Sequence, residues 1–194
     1  IIYQEDLLKL KESAAQMLSQ YLNNSRKPIL LLLAGGSSFG FLDLVEKKSL
    51  GNFITIGMTD ERYGNDPAVN NFSQFTNTKF YRNAEDNGAK FIDSRIKTDE
   101  SFSEYINNFK KNIENWIIDY PTGEIIATFG IGEDGHTAGI MPFPENPELF
   151  DKLFIKEKCT VGYDATGKNR YALRATITAS FIRDKIVRGI IYVS

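Results

Sequence analysis

The chain has 194 residues, 42% of them hydrophobic and 25% charged, which is enough apolar material for one buried core and so for one domain spanning 1–194. A formal net charge of −2 gives no general positive field, and no local basic stripe offsets it, so nucleic acid is not an expected partner. Cys159 is the sole cysteine, which excludes an internal disulfide and a cysteine zinc cluster; the longest apolar run, Ile29 to Ala34, falls far short of the roughly 20 residues that cross a bilayer. A cytoplasmic protein without a membrane partner, monomeric or weakly dimeric, is the resulting expectation. The chain opens at Ile1 without a methionine and closes at Ser194 inside a strand-like run, the pattern of a piece of a longer polypeptide.

Leu7, Ala14, Leu18 and Tyr21, with Leu8, Ala15 and Leu22 beside them, recur at helical spacing, and Asn23-Asn24-Ser25 ends the run, which predicts an amphipathic helix. Pro28 introduces ILLLLA, closed by Gly35-Gly36, a strand buried on both faces as in parallel sheets. A helix with Phe41, Leu44 and Val45 on one side is expected next. FITIGM (53–58) reads as a second buried strand, and the Asn- and Asp-rich stretch from Asn65 to Gly88 as a surface excursion around a short helix. Phe102, Tyr105, Ile106, Phe109, Ile113, Trp116, Ile117 and Tyr120 form a helical stripe opened by a Ser101/Glu104 capping box. EIIATFGIG (124–132) and VRGIIYV (187–193) are further buried strands, whereas YALRATIT (171–178) alternates and is expected towards an edge. Helix following strand repeatedly predicts an α/β fold: an open, largely parallel, Rossmann-like sheet with helices on both faces, whose ligands bind outside the carboxyl ends of the strands.

Three buried strands end in unusual sequences. After ILLLLA, Gly35, Gly36, Ser37 and Ser38 can bring backbone amides and hydroxyls close to an anion, with a helix N-terminus behind them. The segment is neither a Walker loop nor a dinucleotide fingerprint, and a plain serine-capped turn would use the same residues. After FITIGM come Thr59, Asp60, Glu61 and Arg62, charges that can orient one another or hold an anionic substrate, or equally be solvated loop charges. After EIIATF, the run from Gly130 to Ala138 sets the single histidine, His136, among glycines and the carboxylates of Glu133 and Asp134. An imidazole flanked by acids that can orient its ring suits a general base. One histidine and scattered acids make a weak zinc set, so no metal is expected, and without a GxSxG elbow a serine triad is not indicated, although Ser37 or Ser38 can in principle approach His136. Arg174, inside the late strand, either lies exposed at an edge or supplies fixed positive charge to a phosphate or carboxylate.

Taken in order, a strand ending GGSS, then DERY with Asn71 downstream, then GIGEDGHTAGIMP, then RATIT, the chain resembles the 6-phosphogluconolactonase family within the larger group that includes glucosamine-6-phosphate deaminase. The match runs from about Leu30 to Thr178. The resemblance implies a three-layer α/β sandwich of the deaminase and ribose-5-phosphate isomerase kind, acting without a cofactor on a phosphorylated sugar lactone in the oxidative pentose phosphate pathway. It implies that His136 activates the attacking water and that Asp60 assists or orients it. Gly35, Gly36, Ser37, Ser38, Arg62 and Arg174 would hold the phosphate and polar groups of the sugar acid, with Asn71, Gly135 and Thr137 lining the pocket.

Thr137-Ala138-Gly139-Ile140-Met141-Pro142 is similar to the lactonase version of this loop, whereas the deaminases continue with another acid. Two other readings stay open: an amino-sugar-phosphate deaminase or isomerase, and a non-catalytic sugar-phosphate binder. Departures from the family pattern are Gly64-Asn65 for Val-Pro, Phe39 for a proline and Gly139 for a serine. The family also continues past the last strand into a loop with glycine and lysine and a final helix, so two expectations stand side by side: a sequence shortened at its C-terminus, or a protein that dispenses with that lysine.

Overall fold

In the computed structural model, which describes residues 2–3, 5–64 and 66–193, the uninterrupted apolar runs become strands buried on both faces. Every residue of β1 (Ile29–Leu33) and β2 (Ile54–Met58) is buried, as are all but the first of β5 (Glu124–Phe129). With β4 (Lys90–Phe91) and β8 (Ile186–Ile191) they form a five-stranded sheet ordered β4-β2-β1-β5-β8, each neighbouring pair parallel. Parallel neighbours need crossovers, and the crossover helices cover both faces.

Pleat alternation sorts β1 between two cores. Ile29, Leu31 and Leu33 face α1 (Leu7–Asn24) through Ala14, Ala15, Leu18 and Leu22, together with α2 (Phe39–Leu42), α3 (Asn71–Phe75) and α4 (Lys79–Asp86). Leu30 and Leu32 face the other way, towards Tyr105, Phe109, Ile113 and Trp116 of α5 (Phe102–Asp119). A smaller cluster of Ile140, Met141, Phe143, Phe154 and Tyr163 adjoins α6 (Pro147–Phe150) and a π-helical turn, Asp151–Lys156. α1 starts at Asp6, whose carboxylate accepts from the Leu8 and Lys9 amides, and α5 starts at the expected capping box.

Three expectations are corrected. The 171–178 run is not an edge of the main sheet: β7 (Leu173–Ile177) is the central strand of a separate antiparallel sheet, between β3 (Asp60–Arg62) and β6 (Thr160–Asp164), and α7 (Ala179–Lys185) follows it. DER is therefore strand and not solvated loop. The physical cause is Thr59, whose N–H donates to Leu33 O in the parallel sheet (2.9 Å) while its carbonyl accepts from Ile177 N in the antiparallel one (2.9 Å). The helix after the glycines is short, a 3₁₀ turn at Gly36–Ser38 and then α2; Phe41 and Val45 are buried but Leu44 is 45% exposed. The excursion holds two short α-helices, α3 and α4, where one was expected, and Asn65 lies outside the described residues.

The chain fills one side of β1 with β2 and β4 and the other with β5 and β8, so strand order reverses between β1 and β5. The carboxyl ends of these two strands form the crevice where open parallel sheets bind ligands. No helix among the described residues is long and apolar enough to cross a membrane. Leu32 lies opposite Gly57 and Ala127 in the sheet register and is fully buried. Leu32→Ala is expected to cost ~2–5 kcal/mol of stability in urea titration.

Candidate active site

At the reversal point, the loops after β1 and β5, together with β3, the start of α3 and Arg174 of β7, enclose an open hollow of about 540 Å³ lined by Ala34, Gly35, Ser37, Ser38, Asp60, Arg62, Asn71, Gly130, Ile131, Gly132, His136, Ala138 and Arg174. The sequence-predicted residues His136, Asp60, Gly35, Ser37, Ser38, Arg62, Asn71 and Arg174 thus share one hollow. Three others do not line it. Gly36 turns away at φ +68°, and Gly135 and Thr137 line a neighbouring, mainly apolar hollow with Ile140, Pro142 and Phe150. Thr137 instead holds the loop together, its hydroxyl donating to Gly130 O at 2.8 Å.

The glycine loop is shaped by what lies against it. A Cβ on Gly35 would fall 2.3 Å from Asn71 Oδ1, so only glycine lets this loop touch α3. Ala34 N donates to Thr128 Oγ1 (3.0 Å), which ties the loop's first residue to β5. With α2 only four residues long, any anion here would be met by loop amides and the hydroxyls of Ser37 and Ser38, with little help from a helix dipole.

On β3, alternate side chains have opposite tasks. Asp60 and Arg62 face the hollow beside Arg174, which is the cross-strand partner of Arg62. Arg174 donates to Asp60 Oδ2 at 2.5 Å with both side chains about 95% buried. Asp60 also accepts from Thr59 Oγ1 (3.3 Å). Arg62 donates to Val69 O (3.4 Å), and Tyr171 stacks on its guanidinium with the ring centroid 4.6 Å from Cζ; burial lowers this group from its ordinary value and the Asp60 charge opposes that. Arg62 Nε, Arg174 Nε and Asn71 Oδ1 are buried without a hydrogen-bonding partner among the described residues.

Glu61 points the other way and is fully buried. Its carboxylate accepts from the Asn71 amide (2.7 Å), the Phe72 amide (2.8 Å), Asn70 Nδ2 (2.8 Å) and Ser94 Oγ (2.6 Å). Burial pushes the carboxyl up to about 8 against the pull of Ser94 and the two amides. Glu61 therefore anchors the start of α3, and with it Asn71, whose Nδ2 donates to Asp60 O at 2.8 Å.

The loop after β5 is closed by Gly132 N to His136 O (2.8 Å) and Gly135 N to Gly132 O (2.9 Å), with Gly135 at φ +83°. A Cβ on Gly132 would lie 2.3 Å from the His136 ring, so glycine allows the imidazole to lie against the loop. Asp134 Oδ1 accepts from the His136 amide (3.2 Å) and meets Nδ1 at 2.5 Å. The bond to His136 holds the Asp134 carboxyl below its ordinary range. An imidazole whose Nδ1–H is held by a carboxylate presents Nε2 as a base. The carboxylate on His136 is thus Asp134, two residues away in sequence, whereas Asp60 is engaged by Arg174.

Sequence reading named Asp134 only as one of two flanking acids, and it missed Tyr171 because a stacking contact between distant segments leaves no local pattern. No group of three His, Cys, Asp or Glu side chains able to hold a metal ion occurs among the described residues. Glu61→Gln would set an amide against a buried donor, and is expected to cost ~1–3 kcal/mol in thermal or urea unfolding. No stability loss in that variant would contradict the anchoring role.

No curated protein sequence matches the chain. Among solved structures, a 6-phosphogluconolactonase from Thermotoga maritima aligns at TM-score 0.67 and 19% identity over 93% of this chain and 77% of its own. One from Shewanella baltica aligns at TM-score 0.69 and 20% identity, covering 98% and 78% respectively. A monomeric glucosamine-6-phosphate deaminase aligns at TM-score 0.64 and 16% identity, covering 98% and 80%. These likenesses establish the fold. The sequence pattern of one family, glucosamine-6-phosphate isomerases/6-phosphogluconolactonase, matches residues 5–185, and the chain belongs to that family.

Proposed function

We propose that this protein hydrolyses 6-phosphogluconolactone to 6-phosphogluconate, the lactone-opening step of the oxidative pentose phosphate pathway, in the cytoplasm and without a cofactor. The observation that carries the proposal is an imidazole bound through Nδ1 to Asp134 at 2.5 Å, lining the same hollow as Arg62, Arg174 and the Gly35–Ser38 loop. A base, fixed positive charge and a glycine loop in one place match a phosphorylated ester. Similarity to lactonases named as such supports the same reading.

His136 Nε2 takes a proton from water as its oxygen attacks the lactone carbonyl. The tetrahedral oxyanion is stabilised by an arginine or a loop amide, and the ring oxygen leaves with the proton carried by the imidazolium. Arg62, Ser37, Ser38 and the amide of Gly35 hold the phosphate, as charge-assisted hydrogen bonds favour. Asp60 orients the water or the substrate while its bond to Arg174 fixes that guanidinium. Asn71 completes the wall, and Gly135 and Thr137 shape the histidine loop.

His136→Ala is expected to lower kcat by ~10²–10⁴-fold while 6-phosphogluconate still binds. NMR monitoring of freshly prepared lactone, with and without protein, gives the rate. Full turnover in this variant would remove the base assignment. Asp134→Asn keeps the shape but no longer selects the Nδ1–H tautomer, and should lose at least ~10-fold in kcat. Similarity to a deaminase makes ammonia release from glucosamine-6-phosphate the assay for the competing activity. Tight binding of 6-phosphogluconate without turnover would instead indicate a sugar-phosphate binder.

A further inference from the structure

The loop that carries His136 is gripped from outside by the antiparallel sheet. Gly139, three residues after the histidine, has both backbone groups taken by side chains of that sheet: its N–H donates to Thr176 Oγ1 at 3.0 Å, and its carbonyl accepts from the Tyr163 hydroxyl at 2.6 Å. In the register of the small sheet, Tyr163 pairs with Arg174 and Thr176 pairs with Asp60, so the gripping residues share a sheet face with the buried ion pair. The approach is close. A Cβ at Gly139 would lie 2.7 Å from Thr176 Cβ and 3.2 Å from Asp60 Cβ, which is why glycine stands where the family resemblance led one to expect serine.

The loop requires such a grip. Ala138, beside Gly139, is held at φ 50°, a conformation that non-glycine residues keep only when their surroundings impose it. Tyr163 is itself fixed, its ring edge-on to Phe154 at 5.3 Å, and burial pushes its phenol up to about 12, so the hydroxyl remains a donor.

We propose that Tyr163 and Thr176 are positioning residues: by clamping both backbone groups of Gly139 they set His136 against Asp60 and Arg174 across the hollow. Part of the test rests on the lactonase reading and part does not. Tyr163→Phe keeps the aromatic packing and removes only the hydroxyl; Thr176→Val keeps the volume and removes the acceptor. Each is expected to lower kcat for lactone hydrolysis by ~10- to 100-fold, the usual result of displacing a reacting group by about an ångström, with KM changed by less than about twofold and the melting temperature lowered by only a few degrees, as expected when one buried backbone group loses its partner.

The second readout is independent of substrate. His136 is the single histidine, so its imidazole NMR signals need no assignment. In both variants they should shift or broaden as the histidine loosens from Asp134. Unchanged imidazole signals together with an unchanged kcat overturn the clamp, as does a lowered melting temperature with the histidine signals intact. If the wild-type protein fails to open the lactone, the hydrolase reading falls while the imidazole signals still decide the clamp. If one variant does not fold, the other decides.

Discussion

The site depends on one residue serving two sheets. Thr59 ends the parallel strand by bonding to Leu33 and begins the antiparallel one by bonding to Ile177. Because a strand alternates its side chains, this single crossing settles where the next three residues point. Asp60 and Arg62 enter the hollow, and Glu61 turns into the protein. A slip of one residue would turn the arginine into the α3 anchor and Glu61 into the hollow.

The charges arranged in this way are of two kinds. Glu61 has a donor for each direction of its carboxylate and connects β3, α3 and Ser94, a structural arrangement. Asp60 and Arg174 satisfy each other in part, but Arg174 and Arg62 keep N–H groups with no protein partner among the described residues. Leaving buried donors unpaired costs free energy in a folded protein. Other buried polar atoms, such as Trp116 Nε1 and Arg188 Nη1, are also unpaired, but these two guanidinium donors belong to residues that line the hollow, where fixed dipoles need no reorganisation when charge appears.

The histidine loop shows the same division between local and distant control. Locally, glycines and Asp134 fold the loop back and set the ring tautomer. At longer range the small sheet reaches across to hold the chain beyond the histidine. One sheet therefore bears on the two arginines of the hollow and on the imidazole, although these lie far apart in sequence.

Much of this was legible in the sequence. Short continuous apolar runs bounded by turn residues suit strands buried on both faces, so ILLLLA, FITIGM and EIIATF pointed to a parallel sheet, and the unusual residues at their ends marked the crevice. The lone histidine among glycines and acids likewise stood out before any geometry was known, and it lines that crevice. What the sequence left open were contacts between distant segments: that RATIT forms the middle of a second sheet, that Asp60 is bound to Arg174 while Asp134 holds the histidine, and that Tyr163 reaches Gly139. Periodicity and turn chemistry are local properties of a chain, and they determine which elements form. Which side chains meet across those elements is fixed by strand register and sheet order, and these are decided only when the whole core packs.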